Sequence, residues 1–138
     1  MRISSKGLYA LEAMMHLARR SQPGLATIHD IASSENIPEK FLELILLDLK
    51  AARMVESVRG AKGGYRLKRP ASQIFLGEII RTIDGPLAPF ADAEGLRRLV
   101  ERDKKHSALY QVFLDVRNAA SQILDHTSLA DLSRQRCS

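Results

Sequence analysis

The chain has 138 residues, of which 45% are hydrophobic and 27% are charged, and this composition is typical of one globular domain with a core. Its single cysteine, Cys137, excludes an intramolecular disulfide, and its longest strongly apolar run is too short for a signal peptide or a membrane span. We therefore expect a cytoplasmic protein that does not contact a membrane.

The positive charge lies in the first half of the chain. The formal net charge is +5; residues 1–69 contain twelve Lys or Arg and seven Asp or Glu, whereas residues 70–138 contain nine of each. An asymmetry of this kind favours an N-terminal region that binds nucleic acid.

Apolar residues at helical spacing predict three helices in this basic half. The first should end at residues 23–24, Pro-Gly. Thr27 and Asp30 form a capping-box pattern for the second helix, residues 33–36 follow as a polar break, and Pro38 fits the first turn of the third helix. The apolar stripe of the first helix consists of Leu8, Leu11, Met15 and Ala18, widened by Met14 and Leu17. The stripe of the third helix consists of Leu42, Ile45, Leu46 and Leu49.

A short helix, a turn and a longer helix are the elements of a helix-turn-helix, although two ordinary packed helices give the same pattern. The next segment favours the first interpretation. Residues 54–59 and 65–68 are predicted to form strands around a glycine-rich turn, and no acidic residue interrupts residues 59–69. Three helices followed by a basic hairpin predict a winged helix-turn-helix.

The second half is predicted to be helical. A fourth helix should stop at residues 85–86, Gly-Pro. A connector with weak helical signals at residues 85–95 and a solvated, charged helix face at residues 97–105 should follow, and Ser128 and Asp131 form a capping-box pattern for a short final helix. Between them, spacings of three and four predict a long helix with an apolar seam about 24 Å long. The seam consists of Leu109, Val112, Phe113, Val116, Ala120, Ile123 and Leu124.

This seam can be covered by folding back on the first half or by pairing with the same helix of a second subunit. We favour a homodimer, because two-fold symmetry matches palindromic DNA. The predicted fold class is mainly α with a small β-hairpin: a winged helix-turn-helix DNA-binding region at residues 1–84, then a connector, the dimerisation helix and a short C-terminal helix at residues 85–138.

Six stretches form a characteristic combination across nearly the whole chain: residues 1–10 (Met-Arg-Ile-Ser-Ser-Lys-Gly-Leu-Tyr-Ala), 41–43, 58–65 (Val-Arg-Gly-Ala-Lys-Gly-Gly-Tyr), 77–80, 84–86 and 127–132. In order and spacing they resemble the Rrf-two family of bacterial transcription regulators. The resemblance implies a homodimeric winged-helix repressor or activator of double-stranded DNA with a palindromic operator. In that family the recognition helix enters the major groove, a wing arginine enters the minor groove, and the long C-terminal helix crosses onto the partner subunit.

The resemblance also implies three groups of DNA contacts. They are a minor-groove arginine with the tip of the wing, residues that face the major groove, and phosphate contacts at the first helix, where Gly7 would let the backbone approach. In that order the groups are Arg59 with Lys62, Gly63 and Gly64; Lys40, Phe41 and Leu44; and Ser5, Lys6 and Tyr9.

Two departures from the family pattern are informative. Iron–sulfur members have three cysteines in the connector, but residues 85–108 contain none, so we predict no cluster and no other cofactor. The four scattered histidines predict no metal site. Residues 85–89 share the Gly-Pro-x-x-Pro start of the cluster-free branch, which includes the cysteine-metabolism regulator of Gram-positive bacteria. That likeness makes a metabolic enzyme a candidate co-regulator.

The second departure is in the recognition helix, where Leu44 and Asp48 replace residues that are often Gln and basic in the family. Leu44 can touch thymine methyl groups but cannot make the bidentate bond to adenine that Gln offers. We therefore expect recognition to depend more on Arg59 and on groove width.

Several alternatives stay open. An apolar Leu44 and Leu47 on an outward face also suit a protein-interaction module, and a redox or metal sensor could use the same fold. Phe41 is either a DNA contact or a core residue, and Tyr65 is expected to pack the wing onto the third helix. No phosphate loop and no nucleophile with a base is present, so we predict that the chain is not an enzyme.

Overall fold

The computed structural model describes residues 2–20 and 24–134, so Pro23 and Cys137 lie outside the described residues. Within these ranges the protein is mainly α with one antiparallel hairpin, which confirms the predicted fold class. The elements in chain order are α1 (Ser5–Ala18), α2 (Ile28–Glu35), α3 (Glu39–Ala51), β1 (Val55–Val58), β2 (Gly64–Leu67), a 3-10 turn (Ala71–Gln73), α4 (Leu76–Asp84), α5 (Ala93–Arg102), α6 (Ser107–Leu124) and α7 (Leu129–Arg134).

Side-chain caps determine where several helices begin. The Thr27 hydroxyl accepts from the Asp30 N–H at 3.0 Å while the Asp30 carboxylate accepts from the Thr27 N–H at 3.3 Å, which confirms the predicted capping box of α2. Ser128 and Asp131 make the same reciprocal pair at α7, at 3.1 and 2.9 Å. These bonds satisfy backbone donors that the first helical turn leaves free.

The polar break predicted at residues 33–36 is wrong, because α2 continues through Glu35. Ser33 and Ser34 are exposed residues of the helix, and the Ser33 hydroxyl donates to the His29 carbonyl at 2.8 Å. The helix ends at Asn36, whose left-handed backbone (φ 55°) closes it. The polar run therefore marks a solvent-facing side and not the turn.

One core is built around α3. The predicted stripe Leu42, Ile45, Leu46 and Leu49 is fully buried, and it packs with residues of α1, α2, α4 and α7. On α1 the predicted Met14 and Leu17 are buried, but the prediction is wrong at Leu8, which is 53% exposed. The buried residues of α1 are Gly7, Ala10, Ala13, Met14 and Leu17.

The wing is the hairpin of β1 and β2, paired from Val55 opposite Leu67 to Val58 opposite Gly64. Ala26 extends this sheet, because its N–H and carbonyl exchange hydrogen bonds of 2.9 and 2.7 Å with Tyr65. Gly64 has φ +154°, and a Cβ there would lie 2.6 Å from the Ala26 carbonyl oxygen. A glycine is therefore required where the wing joins the rest of the domain.

Helix α5 crosses the boundary between the predicted connector and the predicted charged helix face. Asp92 caps α5 by accepting from the Gly95 N–H at 2.8 Å, and Leu96 is fully buried in this helix, which packs mainly on α6. The weak helical signals of residues 85–95 and the charged helix face of residues 97–105 thus belong to one helix, in which Leu96, Leu99 and Val100 have helical spacing. No helix in the described ranges has both the length and the apolar character needed to cross a membrane.

The end of α6 is tied to α4 by an ion pair. Arg81 donates to both carboxylate oxygens of Asp125, at 2.7 and 2.6 Å, and the Ser121 hydroxyl donates to the same carboxylate. Gly77 of α4 faces Asp125 so closely that a Cβ at position 77 would collide with the carboxylate. The bidentate bond from Arg81 lowers the pKa of Asp125; partial burial opposes this effect, and the Ser121 bond adds to it.

We expect Asp125→Asn to destabilise the protein by about 1 kcal/mol at neutral pH, because a partly exposed charged hydrogen bond is lost. Since the folded pKa of Asp125 lies below its usual value of 3.8, the stabilisation is complete above that value and disappears as the pH falls through the folded pKa. Urea unfolding of wild type and variant across this range measures the effect. The control is Asp115→Asn, which removes an exposed carboxylate of α6. A difference that is independent of pH would contradict the assignment.

Candidate nucleic-acid interface

The α2–α3 pair has the form of a helix-turn-helix, with residues 36–38 as its turn. Because the apolar stripe of α3 is buried, the opposite side of this helix faces outward. Lys40, Leu44 and Leu47 are exposed on that side. His16 of α1 and Glu35 of α2 are linked at 3.0 Å, which ties the first helix to the motif. The outward side of α3 is therefore held in place by its own core residues.

Phe41 lies at the edge of this outward side. Its ring is 37% exposed and makes an edge contact with Tyr9 of α1, with the ring centroids 5.6 Å apart and an angle of 83°. Tyr9 itself is partly buried against the core. Phe41 is thus not a core residue, and the structure places two predicted DNA contacts, Tyr9 and Phe41, side by side.

Lys6 and Asp48 form an ion pair between α1 and α3, with Nζ 2.9 Å from Oδ2. Asp48 therefore orients a basic neighbour, Lys6. Both side chains are partly exposed, at 34% and 45%, and an exposed pair of this kind contributes little to stability. Breaking this ion pair so that the Lys6 ammonium can bind a phosphate would therefore cost little free energy.

The start of α1 is occupied by Asp84, the last residue of α4. The Ser4 N–H donates to Asp84 Oδ2 at 2.9 Å, and the Ser4 hydroxyl donates to the other oxygen while accepting from the Gly7 N–H. Gly7 is buried, and a Cβ there would collide with the Asp84 carboxylate. The expectation that Gly7 opens the backbone to phosphates is therefore wrong, since this glycine makes room for an internal carboxylate. Ser5, the neighbouring predicted contact, is exposed.

The wing presents unpaired cations at its tip. Arg59 and Lys62 are exposed, and neither makes an ion pair within the described part of the chain. Farther from the tip, Arg66 is paired with Glu56 at 2.7 Å and Arg69 with Glu78 at 2.6 Å. Two arginines near the base of the wing are thus paired with carboxylates, whereas the cations at its tip are not, and such a tip suits an anionic partner.

The turn of the wing depends on close backbone contacts. The Gly63 N–H donates to the Gly60 carbonyl at 2.9 Å, and a Cβ on Gly63 would collide with the Val58 carbonyl oxygen. Gly60 has φ +110°. Tyr65 is partly buried against the core, and its strand β2 packs on α1, so the predicted contact of Tyr65 with the third helix stays a prediction.

Sequence reasoning missed two residues of this surface. Lys50, in the last turn of α3, donates to the Ser57 hydroxyl of the wing at 2.9 Å and so connects the two candidate DNA-binding elements. Asp84 was missed because its partner, Ser4, is eighty residues away in sequence. The sequence could have identified Lys50, because it lies three residues after Leu47 and therefore close to the same side of the predicted helix.

Metal binding has no structural support in the residues that the structure describes, among which no group of three or more His, Cys, Asp or Glu side chains is arranged as a ligand set. His16 pairs with Glu35, and His106 lies 3.1 Å from Asp103.

A helix-turn-helix followed directly by a basic hairpin defines the winged-helix class of DNA-binding proteins. The family profile described as "Rrf2: Iron-dependent Transcriptional regulator" matches residues 3–135. The chain belongs to this Rrf2 family of transcriptional regulators, as its sequence motifs predicted. Its family and relatives are DNA-binding regulators and not enzymes.

The chain is similar over its whole length to regulators of known structure. It is 35% identical to the HTH-type transcriptional regulator CymR of Bacillus subtilis, over 96% of this chain and 90% of that protein. The structure of CymR (YrzC), the global cysteine regulator of B. subtilis, superposes with a TM-score of 0.80 at 34% identity and covers 99% of both chains. The crystal structure of the oxidized form of Staphylococcus aureus CymR also superposes with a TM-score of 0.80, at 33% sequence identity, and covers 100% of both chains.

The contact between Gly7 and Asp84 leads to a double-mutant prediction. We expect Gly7→Ala to cost about 1–3 kcal/mol of unfolding free energy, because a methyl group must displace the carboxylate. In the Asp84→Ala background the same substitution should be neutral or stabilising, since alanine is the better helix former by about 1 kcal/mol. Chemical denaturation of the four proteins measures the coupling. An equal cost in both backgrounds would show that Asp84 is not the reason for the glycine.

Proposed function

We propose that the chain is a homodimeric, sequence-specific transcriptional repressor of bacterial type that binds a palindromic operator in the cytoplasm without an iron–sulfur cluster. The observation on which this proposal rests most is the exposed, unpaired Arg59 and Lys62 at the tip of a wing that is bonded to the outward-facing helix α3.

The DNA-binding surface combines the three groups of predicted contacts. In the proposed complex α3 enters the major groove with Lys40, Phe41 and Leu44, while Arg59 enters the adjacent minor groove. The Lys50–Ser57 bond supports this arrangement, because it holds the wing at a set position relative to α3. Lys62 and Gly63 form the wing tip, Gly64 supports it from the start of β2 against the Ala26 backbone, and Ser5, Lys6 and Tyr9 meet the phosphates beside α1.

The apolar seam of α6 supports the homodimer. Leu109, Val112, Val116 and Ile123 are 44–65% exposed in the single chain, although they follow one helical face. The other seam residues, Phe113, Ala120 and Leu124, are partly buried, and α5 covers a different side of α6 through Leu96 and Leu114. An uncovered apolar face of about 24 Å fits the same face of a second copy.

We propose that residues 1–84 bind DNA and that residues 85–138 form the connector and the dimer contact. Leu129 of α7 is fully buried in the core around α3, so α7 would stabilise the DNA-binding region from the end of the chain. The family description names iron-dependent regulators. In this chain, however, residues 85–108 contain no cysteine, which supports a regulator without an iron–sulfur cluster.

A second candidate function is a protein-interaction module, with a metabolic enzyme as partner or co-regulator. It is favoured by Leu44 and Leu47, which are 57% and 59% exposed on the outward side of α3. A stable complex in gel filtration together with only sequence-independent DNA binding would support this function over the first.

Arg59→Ala is expected to weaken binding to a specific promoter fragment by about 5- to 150-fold and to lower the slope of log K against log salt, because a cation is removed from the minor groove. Fluorescence anisotropy at several salt concentrations measures both quantities. Arg97→Ala, at an exposed position of α5, is the matched control and should leave both unchanged. Unchanged affinity and slope for Arg59→Ala would contradict the proposed role of the wing.

Val112→Asp is expected to convert the dimer into a monomer of 15.4 kDa, because it introduces a charge into the apolar seam. Sedimentation equilibrium measures the mass, and circular dichroism verifies that the helices remain. Asn118→Asp adds the same charge at an exposed position outside the seam and should leave the dimer intact. A wild-type protein that sediments as a monomer would overturn the dimer proposal.

A further inference from the structure

The outward side of α3 has an unusual chemical character for a helix that faces DNA. Lys40, Leu44, Leu47 and Ala51 follow one another at helical spacings of four and three, and all four are exposed. We name these four residues the outward stripe. Its two central members, Leu44 and Leu47, are more than half exposed and have no side-chain hydrogen-bonding group.

The two leucines are not displaced core residues. The core side of α3 is already complete, because Leu42, Ile45, Leu46 and Leu49 are all fully buried. Leu44 and Leu47 lie on the opposite side, where no described part of the chain covers them. Two large apolar side chains on consecutive turns of one exposed face indicate a binding surface more strongly than one exposed leucine would.

The surroundings of the stripe indicate the chemistry of its partner. Lys6, held by Asp48, lies along one edge, and Lys50, held by Ser57, lies along the other. Exposed Lys40 begins the stripe, and Arg59 and Lys62, which make no ion pair among the described residues, lie on the wing. With Lys6 and Lys50 these cations outnumber the three partly or fully exposed carboxylates of α3, which belong to Glu39, Glu43 and Asp48. The partner must therefore be anionic at its edges and apolar at its centre. The DNA major groove has this character where its floor presents the C5-methyl groups of thymine.

We propose that Leu44 and Leu47 read thymine methyl groups in the major groove, an inference that rests on the proposed function as a DNA-binding regulator. Leucine cannot form the hydrogen bonds by which polar side chains distinguish base edges, but it distinguishes thymine from a base without the methyl by burying that group. Burial of one methyl-sized group corresponds to about a fourfold change in affinity. The preference should be confined to the bases that the stripe contacts.

The test uses the full-length protein and two versions of the same DNA. A binding site is first selected from random duplexes, and each thymine of the selected site is then replaced, one at a time, by deoxyuridine. This replacement removes only the C5-methyl group and keeps every hydrogen-bonding group of the base. We expect binding measured by fluorescence anisotropy to weaken about fourfold at one or two thymines in each half-site and to be unchanged at the others.

Leu44→Ala and Leu47→Ala identify the side chains that detect the methyl groups. Each variant should lose the difference between thymine and deoxyuridine at its own position and retain it at the other. Lys40→Ala is the matched control in the same stripe, because it should weaken both DNA versions equally and lower the salt slope by about one. Circular dichroism and thermal melting verify that all three exposed substitutions leave the fold intact.

Two results would overturn the inference while leaving the proposed function intact. The first is a specifically bound site at which every deoxyuridine duplex binds as tightly as its thymine counterpart. The second is a preference for thymine that persists undiminished in both leucine variants. A failure to select any specific site would instead reject the proposed function, and the inference with it.

Discussion

The burial of one side of α3 determines how the rest of the molecule can work. Four adjacent apolar residues, Leu42, Ile45, Leu46 and Leu49, are withdrawn completely from solvent, and this burial leaves only one rotation of the helix about its axis. The outward stripe, from Lys40 to Ala51, is the necessary consequence. If α3 rotated about its axis by one residue, some core residues would become exposed and part of the outward stripe would become buried. Tight packing of the core side therefore also fixes which residues α3 presents to a partner.

Three glycines allow elements far apart in sequence to approach more closely than other residues would permit. Gly7 admits the Asp84 carboxylate to the start of α1, Gly64 admits the Ala26 backbone to the wing, and Gly77 admits Asp125 to α4. The first and last of these contacts lie at the two ends of α4, the helix that separates the DNA-binding elements from the connector. Asp84 binds the beginning of α1, and Arg81 binds the end of α6. Helix α4, nine residues long, is therefore in contact with both the start of α1 and the end of α6.

The sequence was most informative where the physical cause is local. Capping residues such as Thr27 and Ser128 bond within their own first turn, and the stripe of α3 repeats within a single helix, so both could be predicted from spacing. Helix α5 was predicted only in part, as a charged helix face, because its start lies in a connector that contains proline and glycine. The role of Gly7 was predicted wrongly, because the group that it accommodates, the Asp84 carboxylate, is distant in sequence. The candidate DNA contacts were found from family motifs, and the structure adds their exposure and their partners.

The size of the proposed methyl effect determines how recognition would be divided between α3 and the wing in the proposed dimeric complex. Two leucines in each of two half-sites give four methyl contacts, and at about fourfold each these amount to about 250-fold discrimination. Specific regulators bind their sites about 10³- to 10⁷-fold more tightly than other DNA, so methyl contacts alone fall short. The remainder must come from groups that can sense the shape of the groove or form hydrogen bonds. The exposed Arg59 is the best-placed of these, because the Lys50–Ser57 bond holds its hairpin against the helix that bears the leucines. An apolar recognition helix thus makes the wing more important for specificity, and the two elements cannot be considered separately.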